Sequence, residues 1–118
     1  VEIIELHHRH KVDAPSGTAM SIARDIINAR GLGEEALVFG RCGNVGERQR
    51  GQVAVHSVRA GEIVGEHTIL VALPYEELIF THRARDRKLF AAGALEVAKW
   101  LAKRKPSLYS INDMLEEN

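Results

Sequence analysis

Hydrophobic positions along this chain recur with two different periods, and the switches between them divide it into elements. Residues 1–9 are rich in β-formers, Val1, Ile3, Ile4 and Leu6, and predict a strand. Residues 11–16 contain Asp13, Pro15 and Ser16, a loop that ends in helix-start chemistry. Between Thr18 and Arg30 the apolar residues Ala19, Ile22, Ala23, Ile26 and Ile27 fall at helical spacing, and Gly31 is a natural stop. Four glycines between Gly40 and Gly51 predict a long loop over residues 31–51, a mobile segment near a substrate mouth or a subunit interface. The pattern then returns to strands at residues 52–59, 66–73 and 78–84, broken by Ala60-Gly61 and Pro74-Tyr75. Breaks this short predict antiparallel hairpin neighbours.

Asp86 is placed to cap a second helix over residues 87–104, with Phe90, Ala94, Leu95, Ala98 and Leu101 as its apolar stripe. Lys99, Lys103, Arg104 and Lys105 suit the negative end of its dipole, and Pro106 follows. Ser110 and Asp113 have the spacing of a capping box before Met114-Leu115. This order predicts an α+β fold: an open mixed or antiparallel sheet of about four strands, a helix on one face, and a C-terminal helix.

Composition narrows the function classes. A chain of 118 residues with 45% apolar and 27% charged residues is an ordinary globular domain. Zero formal net charge weighs against nucleic-acid binding, and no apolar run approaches the roughly 20 residues of a membrane helix. Cys42 is the only cysteine, which excludes an internal disulfide and points to a reduced, cytoplasmic setting. The chain opens directly in a strand-like run without an initiator Met, as the interior of a longer gene product would.

The chemistry concentrates at residues 7–18. His7, His8 and His10 sit beside Arg9 and Lys11. If the run stays extended, His7, Arg9 and Lys11 share one face. Ser16-Gly17-Thr18 then opens a helix, whose free N–H groups bind anions, and glycine permits close approach. The physical inference is a site for a small dicarboxylate or phosphate that undergoes proton transfer. Two alternatives stand beside general acid–base chemistry. One is a solvated basic patch; the other is a metal site, for which no Cys or carboxylate completes a ligand set. His56, His67 and His82 read as core or sheet-surface residues, with Glu66 a neighbour that could pair with His67. Arg41, Arg48 and Arg50 lie in the glycine-rich loop, which lacks P-loop spacing.

The run from Glu5 through His7-His8-Arg9-His10-Lys11 to Pro15-Ser16-Gly17-Thr18-Ala19 resembles the signature of the dihydrodipicolinate reductase family. Val58-Arg59-Ala60-Gly61 through Glu66-His67, and Thr81-His82-Arg83-Ala84 through Phe90-Ala91-Ala92-Gly93-Ala94, resemble further parts of its C-terminal domain. The resemblance implies an oxidoreductase that reduces a cyclic unsaturated dicarboxylate, 4-hydroxy-tetrahydrodipicolinate, with NADPH or NADH on the diaminopimelate route to lysine. It implies a cytoplasmic homotetramer in which strands of several subunits close a shared barrel. His7 becomes a proton donor and acceptor, and Lys11 the proton donor to the ring. His8 binds substrate, Gly17 and Thr18 hold a substrate carboxylate, and Arg87 and Phe90 face the cofactor. Residues 1–86 become a substrate-binding and tetramerisation domain, and residues 87–118 a segment that returns to a nucleotide-binding domain. No G-x-G-x-x-G follows a strand here, so the cofactor would be held mainly elsewhere and this chain alone would be inactive. The competing expectation is an oligomerisation or dicarboxylate-binding module without catalysis.

Overall fold

The computed structural model describes residues 1–117 and divides after Ala84 into two compact units. The first is a five-stranded sheet with one long helix. Its elements are β1 (Glu2–His7), α1 (Gly17–Ala29), a 3-10 turn (Glu34–Ala36), β2 (Leu37–Phe39), β3 (Val53–Arg59), β4 (Gly65–Ala72) and β5 (Glu77–Ala84). The second unit, from Arg85 onward, holds α2 (Lys88–Leu101) and α3 (Ile111–Leu115).

The sheet runs β2-β3-β1-β4-β5. β1 lies at its centre, parallel to β3 and antiparallel to β4. β2 is parallel to β3, and β4 and β5 form the antiparallel hairpin expected of their short connection. The same expectation fails for β3 and β4. They do not pair; they flank β1, and the segment around Gly61 crosses its end, with Ala60 N–H donating to His7 O and Arg9 N–H to Gly61 O. Gly61 takes a positive φ of 47°, so the turn exists but serves a crossover. The fifth strand, β2, is three residues long and sits inside the stretch read as loop.

Helix α1 packs on β1 and β3, because its apolar stripe matches theirs. Ile3, Ala19, Ala23, Ile27, Val53 and Val55 form the buried core, with Ile22, Ile26, Leu32 and Leu37 packed around it. Ser16 caps the helix by accepting Ala19 N–H, and Gly31 at φ 63° follows its last turn. Leu78, Ile79 and Phe80 of β5 stay exposed.

In the second unit α2 ends at Leu101, three residues short of the expected end, in turns stabilised by Lys103 and Arg104 N–H groups. At its start the N-cap residue is Arg87 rather than the expected Asp86, which lies one residue earlier and accepts Lys88 N–H with its carboxylate. The capping box of Ser110 and Asp113 is formed at α3. Phe90, Ala94, Val97 and Leu101 line a shallow apolar hollow with Ile111 and Leu115. Residue 118, which the expected second segment includes, lies outside the described residues.

Ile3 is fully buried at the centre of the sheet, whereas Val12 is 98% exposed. Ile3→Ala is expected to lower stability by about 2–5 kcal/mol through lost burial and a cavity. Val12→Ala is expected to stay within about 0.5 kcal/mol of wild type. Urea denaturation of the two variants checks the contrast, and equal midpoints would contradict the assigned core.

Candidate functional site

Strand alternation puts Ile3, Glu5 and His7 on the face that carries α1, and Glu2, Ile4 and Leu6 on the other. Cross-strand register extends this face into rows. Ile3 lies beside Val55 and Ile69; Glu5 lies beside Ser57 and His67; His7 lies beside Arg59. The face is therefore apolar at the start of β1 and polar at its end, where the α1 N-terminus arrives.

Glu5 is fully buried and every contact around it answers its charge. Its Oε1 accepts from Arg59 Nη2 at 2.7 Å and from Ser16 N–H at 3.2 Å. Its Oε2 lies 2.8 Å from Arg59 Nη1 and 2.5 Å from His7 Nδ1. Burial by itself would raise the Glu5 carboxyl, but hydrogen bonds from Arg59, Ser57, His7 and the Ser16 amide outweigh it and hold the group at about 2. Arg59 also donates to Asp13 O at 2.7 Å, so it ties β3 to the loop before α1. Its Nε is buried without a partner.

Ser16 joins this carboxylate to a second histidine. Its Oγ is 3.0 Å from His67 Nε2 while it accepts the Ala19 N–H. The His67 ring meets His7 edge-on, with centroids 5.3 Å apart. Burial, and then the neighbouring charge of His7, lower the His67 pKa from its ordinary value; Glu5 opposes them, and His82 and Lys11 add to the lowering. Lys11 is thus within electrostatic reach of His67, and its Nζ donates to Asp13 Oδ1 at 2.7 Å. Gly17 and Thr18, exposed, begin α1 immediately after Ser16. A Cβ at Gly65 would lie 3.2 Å from His7 Nε2, so glycine leaves that edge of the ring its room.

His7, His8, Lys11, Gly17 and Thr18 all belong to the first unit, around the end of β1 and the start of α1. The expected shared face of His7, Arg9 and Lys11 does not form, because β1 stops at His7 and a turn follows, with Lys11 N–H donating to His8 O. Arg9 and His10 turn outward to Glu62, at 3.3 and 3.4 Å. His8 Nδ1 is buried without a partner. Arg87 and Phe90 belong to the second unit, Arg87 at the N-cap position of α2 and Phe90 half-exposed in its first turn.

Several residues assigned bland roles by sequence have definite partners. His67 bonds Ser16, and Glu66 pairs with Arg83 on the neighbouring strand rather than with His67. His56 lies 2.6 Å from Glu2 on the opposite face. The same Glu2 carboxylate receives Arg41 at 2.9 and 3.0 Å and Arg48 at 2.7 Å. The glycine-rich loop is therefore fastened to β1 by Arg41 and Arg48. The sequence reading gave Glu5, Arg59 and His67 no role in the site, and gave Ser16 only that of opening α1. Period-two alternation alone would have found Glu5, since it shares the face of Ile3 and His7. Among the described residues no group of three or more His, Cys, Asp or Glu side chains is arranged to hold a metal, and no helix is long and apolar enough to cross a membrane.

Comparison with known proteins shows the family. A family model described as the C-terminus of dihydrodipicolinate reductase matches residues 1–115. The 4-hydroxy-tetrahydrodipicolinate reductase of Alkalilimnicola ehrlichii is 48% identical over 116 residues, which are 98% of this chain and 43% of that protein. The enzyme of the same name from Methanopyrus kandleri is 51% identical over 114 residues, 97% of this chain and 41% of that protein. A solved structure, the dipicolinate-bound dihydrodipicolinate reductase from Paenisporosarcina sp. TG-14, aligns with a TM-score of 0.69 and 26% identity, covering 95% of this chain and 43% of that one. The chain spans less than half the length of these relatives.

The Glu5 cluster makes stability depend on acid. Its carboxyl is held below the ordinary value of 4.5, at about 2, so the folded state binds that proton less readily than the unfolded chain. The stabilisation, roughly 3 kcal/mol, is present above about pH 4.5 and is lost as pH falls toward 2. Urea denaturation between pH 7 and pH 2 is expected to show this limb in the wild type. In Glu5→Gln stability is lower at pH 7 and the limb correspondingly shallower. An unchanged acid limb would contradict the assignment.

Proposed function

The chain belongs to the dihydrodipicolinate reductase family, as its C-terminal part, and on that footing we propose that it binds the substrate and supplies the proton in a reductase of 4-hydroxy-tetrahydrodipicolinate. The observation that carries this reading is one continuous network. It runs from the imidazole of His7 through the buried Glu5 to the backbone of Ser16, next to the exposed start of α1 at Gly17 and Thr18. A helix start offers free amides to an anion, and the Thr18 hydroxyl adds a donor. One ring carboxylate of the dicarboxylate sits there. His8, whose Nδ1 has no protein partner, contributes to holding the ring. Dipicolinate in the related solved structure is a planar dicarboxylate of the kind such a site suits.

A reduced nicotinamide, of NADPH or NADH, would when bound supply a hydride to the unsaturated ring. This chain carries no glycine-rich dinucleotide turn between β1 and α1: the connecting residues 8–16 hold no glycine. We place the dinucleotide mainly on residues outside this chain, with Arg87 and Phe90 as the contributions proposed from it. The chain's own residues handle charge and protons. Lys11 Nζ leaves Asp13 to donate to the ring, where negative charge develops once the hydride has added. His7 exchanges a proton, and the cationic surroundings of the strand end stabilise the dianionic ring. The reaction belongs to the diaminopimelate route to lysine, in the cytoplasm. The protein is a homotetramer, with the exposed outer strands buried between subunits.

In the whole protein Lys11→Ala is expected to lower kcat by about 10²–10⁴, the contribution of a positioned proton donor, with the oligomer intact by light scattering. Near-normal turnover would remove Lys11 from its role. Thr18→Val is expected to weaken 2,6-pyridinedicarboxylate, measured by titration calorimetry, by roughly ten- to hundredfold, the loss of a hydrogen bond to a charged group. Unaltered affinity would place the carboxylate elsewhere.

A further inference from the structure

The structure assigns Glu5 a positioning role in this reaction: it holds His7 as the Nδ1–H tautomer, so that Nε2 is the nitrogen that exchanges the proton. The inference rests on the reading of His7 as a proton donor and acceptor and goes beyond it by naming the atom and the residue that fixes it. Glu5 Oε2 stands 2.5 Å from His7 Nδ1. An ionised carboxylate only accepts, so the proton between the two atoms belongs to Nδ1 whenever the ring is neutral. Charge on Glu5 is secured by the Arg59 fork on one side and the Ser16 amide on another. The edge-on contact of His67 helps to hold the ring's orientation as well. A carboxylate that orients an imidazole and sets its tautomer is a recurrent device wherever histidine shuttles protons.

Ser16 makes the arrangement more than a local pair. Its amide is held by Glu5, its hydroxyl meets His67, and it caps the helix whose first residues are the proposed seat of the substrate carboxylate. The same buried oxygens therefore set the imidazole and the anion seat in one frame.

The test uses the whole protein labelled with 15N in histidine, with the His7 signals assigned by their loss in His7→Gln. In the wild type, at a pH where the ring is neutral, Nδ1 is expected to show the shift of a protonated nitrogen and Nε2 that of an unprotonated one. In Glu5→Gln the amide oxygen stays with Arg59 Nη2 and the Ser16 amide, so the amide NH₂ faces Nδ1 and the pattern inverts to Nε2–H. kcat then falls about 10²–10⁴-fold, while affinity for 2,6-pyridinedicarboxylate stays within about fivefold. A wild-type spectrum with the proton on Nε2 overturns the inference, and this measurement decides even if Glu5→Gln does not fold. Full turnover in Glu5→Gln alongside a crippled His7→Gln also overturns it. Full turnover in His7→Gln instead removes the reading of His7 as proton exchanger, a separate result that the wild-type spectrum distinguishes.

Discussion

A carboxylate sealed beneath a helix constrains everything around it. Glu5 has no access to water, and an ionised group in that position is tolerated only when each of its oxygens is hydrogen-bonded and its charge is matched. Three elements meet that demand together: β1 supplies the acid and His7, β3 supplies Arg59, and the loop entering α1 supplies the Ser16 amide. None of these can shift alone without stranding a buried charge. The register of β1 on β3, the entry angle of α1 and the orientation of His7 are thereby set by one group.

The same strand divides its labour along its length. Ile3 sits among Val53, Val55, Ala23 and Ile27, where only apolar contact operates. Two residues further on the face becomes Ser57, Glu5 and His67, then Arg59, His7 and Gly65. The hydrophobic end anchors the layer of helix on sheet, and the polar end is left free to carry chemistry. Helix α1 spans both regions, with Ala23 and Ile27 in the core and its capped N-terminus in the site.

Much of this was written in local patterns. The α1 boundaries follow from Ser16 and Gly31, and the β4–β5 hairpin from the short Pro74-Tyr75 break, because capping and tight turns are properties of adjacent residues. The family resemblance located His7, Lys11, Gly17 and Thr18 from a contiguous run. What could not be read was long-range. The insertion of β1 between β3 and β4 depends on which strand is most buried, and no turn announces it. Arg59 meets Glu5 across fifty-four positions of sequence, and His67 meets Ser16 across fifty-one. Histidines that sequence treated as isolated acquired partners only through sheet register. The three residues of β2 gave no periodicity to detect.

The central place of β1 has a consequence for how this protein acquires its shape. Its strand partners arrive late, since β3 begins about fifty residues downstream and β4 later still. Closing loops of that length costs entropy before any contact repays it, so such a topology assembles slowly and cooperatively. During synthesis β1 leaves the ribosome with both hydrogen-bonding edges bare and an apolar, partly charged face unmatched. The site therefore cannot exist in a half-made chain: the imidazole gains its orientation only when the last central strand has docked.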